Sequence, residues 1–153
     1  MTVSGGLLAV AVLASGLGTG VMLSTVIGMV PMTLALPYDR YVEMIQFMWP
    51  RYDPFMPLMN GLAFVLDVVL AIVLGDDPAR PFLVAGAVLL AAVMVISVVK
   101  NVPINKYVTG LDPRNQPDDW DRADPRQRWR QWNTIRTSLA VLALLANVLA
   151  AVA

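Results

Sequence analysis

The feature that most constrains this chain is a series of long apolar runs, the first of which belongs to a stretch of 38 residues without a charged side chain. A helix needs about 20 apolar residues to cross a bilayer. We predict four membrane-spanning helices, at residues 5–30, 55–74, 81–99 and 134–153. Residues 1–153 should therefore form a single integral membrane domain with an all-α, four-transmembrane-helix bundle fold. No positively charged segment precedes the first run, so we expect this helix to be retained and not cleaved as a leader.

Composition supports this assignment and removes several functional classes. Hydrophobic residues make up 58% of the chain, above the roughly half that is usual for soluble domains. Eleven basic and eleven acidic residues balance, so the surplus of cations that nucleic-acid binding requires is missing. Cys and His are both absent, which removes the usual ligands of zinc and haem. We predict no metal site, no cofactor and no nucleic-acid partner.

The distribution of basic residues predicts the orientation in the membrane. Every Lys and Arg except Arg80 lies in the first or third loop or at the start of the fourth span. Because basic loops stay in the cytoplasm, we expect a multi-pass protein of the cell membrane with loops 1 and 3 cytoplasmic and both termini outside.

Both of these loops carry a predicted interfacial helix. In loop 1, "YDRYVEMIQFMW" places polar residues on one arc and apolar residues opposite, at 100° per residue. In loop 3, an amphipathic stretch begins near Asp124 and runs into the last span.

Small residues recur every four positions in the first span, at Gly16, Gly20, Ser24 and Gly28. Such a stripe allows close approach of another helix in a membrane. Two interpretations remain open: the stripe packs against other helices of the same bundle, or it forms the interface of a homo-oligomer.

Asp67 lies near the middle of the second span, where a carboxylate is costly and is expected to face the bundle interior. Asn60 shares its helical face, about 10 Å away. The carboxyl could act as an acid or base, or it could tether helices through hydrogen bonds without any chemistry.

The fourth span begins with "RWRQWNTIRT", which places Trp129, Asn133 and Arg136 on one face beside Trp132. These residues could anchor the helix at the interface. They could equally form the mouth of a pocket for a flat aromatic ligand, in which indoles stack on rings and Arg136 attracts a phenolate or enolate.

A second polar motif, "VVKNVPINKYV", closes the third span. Ser97 and Asn101 share a face, and Pro103 is predicted to end the helix. Asn105 could then turn its amide inward, either to cap carbonyl groups or to bind a ligand.

Together, "NVPINKYV" and "WRQWNTIRT" resemble the domain of unknown function 1772 family, small four-span membrane proteins whose better-known members are fungal anthrone oxygenases. The Pro-x-Asn element of the family falls on Pro103 and Asn105, and its Trp, Asn and Arg fall on Trp129, Asn133 and Arg136.

The resemblance implies that an anthrone-like substrate is oxidised with O₂ through an enolate and without a bound metal. In this interpretation Asp67 is the general base and Arg136, Asn133 and Asn105 stabilise the oxyanion. The predicted catalytic residues are Asp67, Arg136 and Asn105, and the predicted substrate-binding residues are Asn60, Asn101, Trp129, Trp132 and Asn133.

Two other functions remain open, namely a non-catalytic membrane scaffold or accessory subunit and a binder of a lipophilic small molecule. The expected partners are a lipophilic aromatic molecule, membrane lipids and, through the glycine stripe, a second copy of the chain. A cavity enclosed by Asp67, Asn105 and Arg136 would favour binding or catalysis, whereas tight pairing of these residues would favour a scaffold.

Overall fold

The computed structural model describes residues 3–153. Within this range the regular structure consists of α-helices and two π-helical turns. The α-helices are α1 (Val3–Ser24), α2 (Val30–Ala35), α3 (Tyr38–Tyr52), α4 (Phe55–Val73), α5 (Arg80–Ile96), α6 (Val102–Thr109), α7 (Trp120–Ala123) and α8 (Arg126–Val152). The first π turn (Thr25–Met29) joins α1 to α2, and the second π turn (Ser97–Asn101) joins α5 to α6.

Four helical stretches in the described range are long and apolar enough to cross a membrane. Helices α1, α4, α5 and α8 are their main parts, and these four helices pack in a ring in which α1 contacts α4, α4 contacts α5, α5 contacts α8 and α8 contacts α1. The prediction of an all-α bundle of four long apolar helices is therefore confirmed.

The centre of the bundle is built from small side chains that let the helices approach closely. Ala14, Ala63, Leu90 and Ala143 form one buried cluster, with one residue from each of the four long helices. Lipid provides no hydrophobic driving force between helices, so close packing of small residues has to hold them together.

The predicted glycine stripe serves this packing only at Gly16, where a Cβ atom would lie 3.8 Å from Cδ1 of Leu144. Gly20, Ser24 and Gly28 are exposed on the outside of the bundle, so the interpretation of the stripe as an intramolecular contact is wrong at these positions. The face of α1 that packs inward is rotated from the stripe and contains Gly18, where a Cβ atom would lie 2.8 Å from Oδ1 of Asn60. The homo-oligomer interface stays a prediction.

A buried polar pair connects α4 and α8 in the half of the bundle away from loops 1 and 3. Asp67 and Asn147 are both fully buried. With its amide nitrogen turned toward the carboxyl group, Asn147 donates hydrogen bonds to Oδ1 and Oδ2 of Asp67, at 2.6 and 3.3 Å. Gly86 of α5 leaves room for the pair, because a Cβ atom there would lie 2.7 Å from Oδ2 of Asp67. Three helices thus meet at one hydrogen-bonded carboxyl group.

The prediction that Pro103 ends the third long helix is wrong. The backbone continues through the second π turn and α6 as far as Thr109. Proline lacks an N–H group and crowds the preceding turn, and a wide π turn accommodates this. The N–H of Val102 bonds to the carbonyl of Ser97, five residues back. Pro31 follows the first π turn in the same way.

Loops 1 and 3 meet at one end of the bundle and form a folded cap. Helix α3 buries Tyr38 and Tyr41 against Val108 and Trp120. The side chain of Gln46 donates hydrogen bonds to two backbone carbonyl groups at the end of α6 and beyond it, at 3.2 and 2.9 Å. The predicted amphipathic helices are therefore both present, one as α3 and the other as the N-terminal part of α8.

Replacing Gly86 by Ala should destabilise the bundle, because the new methyl group would collide with the buried carboxyl of Asp67. Overpacking of this kind costs about 1–3 kcal/mol. The matched control is Gly61→Ala in α4, where an added Cβ meets no atom within 4 Å. Thermal unfolding in detergent, followed by circular dichroism, should show a lower midpoint for Gly86→Ala and no decrease for Gly61→Ala. Equal midpoints would contradict the packing described here.

Candidate active site

A cavity of about 330 Å³ lies between the cap and the bundle. Its walls come from the two π turns, α3, the start of α4, α6 and α8, and they are mostly apolar. Ligand sites in proteins typically have such apolar walls with a few placed polar groups. The polar, phenol and indole side chains on its wall are Thr25, Trp49, Tyr52, Asp53, Asn60, Ser97, Asn101, Asn105, Trp129 and Arg136.

Arg136 is the cation of this cavity and is 8% exposed. Its Nε and Nη2 atoms donate to Oδ1 of Asn133 at 3.1 and 2.9 Å, and Nη1 donates to Oγ of Ser97 at 3.0 Å. Asn133 is fixed in turn, since its Nδ2 donates to Oγ1 of Thr25 at 2.9 Å. No carboxylate of the described residues lies within 4 Å of the guanidinium. The group is thus oriented by neutral partners and keeps its positive charge for a ligand.

Several buried polar atoms on the cavity wall have no partner in the described part of the chain. They are both amide atoms of Asn101, Oδ1 of Asn60 and Nε1 of Trp129. Buried polar groups are almost always hydrogen-bonded, because leaving them unpaired is costly. The three residues that carry these atoms all line one cavity, so the polar groups without a partner are concentrated around it.

Both π turns contribute to this wall. Thr25 and Met29 come from the first, and Ser97, Val98 and Asn101 come from the second. π-Helical turns occur often at functional sites, where they change the direction of side chains. Neither turn is predicted by hydropathy or periodicity, although each is followed by a Val-Pro dipeptide that could have indicated it.

The structure brings together five of the residues that the sequence singled out as site candidates. Asn60, Asn101, Asn105, Trp129 and Arg136 all line the cavity. The other three candidates, Asn133, Trp132 and Asp67, lie outside the wall. Asn133 is fully buried behind Arg136, and Trp132 lies on the outer surface, where Nζ of Lys100 sits 5.0 Å from its ring centroid.

Asp67 does not belong to this group. The expected convergence of Asp67 with Asn105 and Arg136 is not what the structure shows, because its carboxyl is paired with Asn147 and does not line the cavity. Asn60 and Asp67 share a helical face as expected, but seven residues of α-helix separate them by about 10 Å. Asn60 therefore reaches the cavity, whereas Asp67 lies two turns deeper in the bundle.

The carboxyl group that does line the cavity is Asp53, in the turn between α3 and α4. Its Oδ1 accepts a hydrogen bond from Nε1 of Trp49 at 3.1 Å. The sequence alone did not single out Asp53, because an acidic residue next to a proline in a loop is usually a solvent-exposed charge. The spacing of Trp49 and Asp53, one helical turn apart, was the signal that could have revealed it.

Comparison with known proteins agrees with the motifs in these walls. Residues 46–146 match the family described as anthrone oxygenase. No curated protein and no solved structure gave a significant match. The matched segment covers about two thirds of the chain and includes Asp53, Asn105 and Arg136. The chain belongs to the anthrone oxygenase family.

Proposed function

We propose that this protein is an integral-membrane oxygenase that oxidises a flat, lipophilic, polycyclic phenol or ketone with O₂. The observation that carries the proposal is the Arg136 guanidinium on the wall of an apolar cavity, oriented by Asn133 and Ser97 and without a carboxylate within 4 Å. Such a group is suited to a substrate that becomes an anion during the reaction.

Arg136 would stabilise the oxyanion of the enolate. Donors that are fixed before the charge develops lower the barrier most, because they need no reorganisation during the reaction. The hydrogen bonds of Arg136 to Asn133 and Ser97 meet this condition. Asn101 and Trp129, whose amide and indole N–H groups have no partner in the described chain, line the same cavity.

Asp53 is the general base in this proposal. The bond from Trp49 engages Oδ1 and orients the carboxylate, while Oδ2 remains to accept a proton from the substrate. Asp53 and Arg136 line the same cavity, so a base and an oxyanion donor could act on one substrate. It takes the role that the sequence assigned to Asp67.

The reaction balances without a further reductant. Asp53 removes a proton from the CH₂ carbon of an anthrone-like ketone, and the resulting enolate gives one electron to O₂. Combination of the two radicals forms a C–O bond and, with one proton, a hydroperoxide. Loss of the second hydrogen on that carbon with cleavage of the O–O bond gives the quinone carbonyl and water. One O₂ is consumed for each quinone formed.

Substrate access is consistent with a membrane-dissolved compound. Val98 lines the cavity and is also 65% exposed on the outer, apolar surface of the bundle. Pro57, another lining residue, is exposed as well. A lipophilic substrate would enter the cavity from the bilayer at this position. We also propose that the end of the bundle with loops 1 and 3 faces the cytoplasm, since it carries the basic residues.

Asp53→Asn should lower the turnover number for anthrone by at least 10²-fold, since loss of a general base costs about 10²–10⁴-fold. Asp67→Asn should keep turnover within a few-fold of the unmodified protein. The measurement is O₂ uptake by purified protein in nanodiscs, with Asp39→Asn on the exposed side of α3 as the control.

The reverse pattern, a folded Asp67→Asn variant without activity beside an active Asp53→Asn variant, would contradict the assignment of the base. A protein that binds 9,10-anthraquinone but consumes no O₂ with any polycyclic phenol or ketone would instead be a binder of lipophilic molecules.

Arg136→Lys should reduce turnover by about 10²–10³-fold, because a lysine cannot keep the hydrogen bonds to Asn133 and Ser97 and still present a fixed donor to the oxyanion. Arg130→Lys, on the exposed side of the same helix, is the matched control and should retain full activity. Steady-state O₂ uptake gives the rates, and the thermal unfolding midpoint verifies that both variants are folded. Equal activity of the two variants would exclude Arg136 from oxyanion stabilisation.

A further inference from the structure

A second concave site lies on the outer surface of the bundle, formed by the second π turn, α6 and the start of α8. It has a volume of about 350 Å³, and no residue is shared between its lining and that of the catalytic cavity. We call it the basic groove and define it by Val99, Lys100, Ile104, Tyr107, Arg128 and Trp132. The proposed oxidation makes no use of it.

The charge of the basic groove is positive and uncompensated. Lys100 and Arg128 both line it and are both exposed. No carboxylate of the described chain lies within 4 Å of either cation, and no acidic residue is among the residues that line the groove. Lys100 is held above the ring of Trp132, at 5.0 Å from the centroid. Two cations that share one concave surface are suited to an anionic group such as a phosphate.

The position of the basic groove indicates how the rest of its ligand is built. Tyr107 and Trp132 are of the residue types that concentrate at the headgroup level of a bilayer. Val99 of the second π turn is 57% exposed. Val95, which lies one turn earlier in the chain, in α5, is 61% exposed. The cationic part of the groove therefore continues directly into an apolar surface of the kind that contacts acyl chains.

We propose that the basic groove binds an anionic phospholipid, with the headgroup phosphate between Lys100 and Arg128 and an acyl chain along Val99 and Val95. A soluble phosphate compound would use the cations but leave the apolar surface without a partner. A zwitterionic lipid would use the apolar surface but would place its own cation near the two basic side chains. An anionic phospholipid is complementary to both parts.

The test is native mass spectrometry of purified, delipidated protein, titrated with phosphatidylglycerol or phosphatidylcholine of identical acyl chains. The unmodified protein should bind phosphatidylglycerol at least tenfold more tightly than phosphatidylcholine. The double variant Lys100→Gln/Arg128→Gln should lose this preference. The double variant Arg122→Gln/Arg130→Gln removes two exposed basic residues from the same end of the bundle but outside the groove, and it should retain the preference.

Three outcomes would overturn the proposal. The first is equal loss of affinity in both double variants, which would indicate only a general attraction to the basic end of the bundle. The second is no preference for phosphatidylglycerol in the unmodified protein. The third is complete displacement of the lipid by millimolar inorganic phosphate, which would indicate a site for a soluble anion. Because all four residues are exposed, unfolding midpoints should not change, and Lys100→Arg, which keeps the positive charge, should retain the preference for phosphatidylglycerol.

Discussion

A buried guanidinium group needs hydrogen-bond acceptors, and the site depends on which groups accept from Arg136. Neutral partners orient the group without cancelling its charge, in contrast to a buried ion pair. Asn133 accepts two of its hydrogen bonds and Ser97 a third. The chain of contacts from Arg136 through Asn133 to Thr25 joins α8 to the first π turn, so the same interactions that hold the charge also hold two walls of the cavity.

The two ends of the bundle differ in how their buried polar groups are paired. In the half away from loops 1 and 3, Asp67 and Asn147 form a tight hydrogen-bonded pair against Gly86. At the other end the two π turns displace the backbone and leave a cavity whose polar atoms are partly unpaired. Unpaired polar groups are costly in an apolar environment, and in the described chain most of them belong to residues that line this cavity.

Hydropathy and periodicity predicted the four long helices and part of the cavity wall. The uncharged runs predicted the four long helices, because a bilayer requires about 20 apolar residues per span. Helical spacing correctly grouped Trp129 and Arg136 on the cavity side of α8, and it placed Asn60 and Asp67 on one face of α4. It could not show how deep each of these residues lies relative to the other helices. That depth separates Asn60 from Asp67, and it depends on how the four helices are aligned against each other.

Two further features were beyond a sequence pattern. A proline usually breaks a helix, and whether a π turn accommodates it depends on tertiary packing, so the continuation through Pro103 was not predicted. Asp53 lines the same cavity as Arg136 but is distant from it in sequence, and only the packing of α3 against the bundle brings both residues to one site. The glycine stripe is a pattern that the sequence did show but that predicted the wrong face. Gly20, Ser24 and Gly28 face outward, whereas the packing face of α1 contains Gly18.

In the proposed reaction, the charge of Arg136 is directed at a substrate oxygen inside the cavity. Solid-state NMR can test it directly, using protein with ¹⁵N-labelled arginine and 9,10-anthraquinone labelled with ¹³C at its carbonyl carbons. A carbonyl carbon hydrogen-bonded to the guanidinium should lie within about 4 Å of a labelled nitrogen, and the resulting dipolar dephasing should disappear in Arg136→Lys. Bound quinone without dephasing, or dephasing that persists in the variant, would contradict the account.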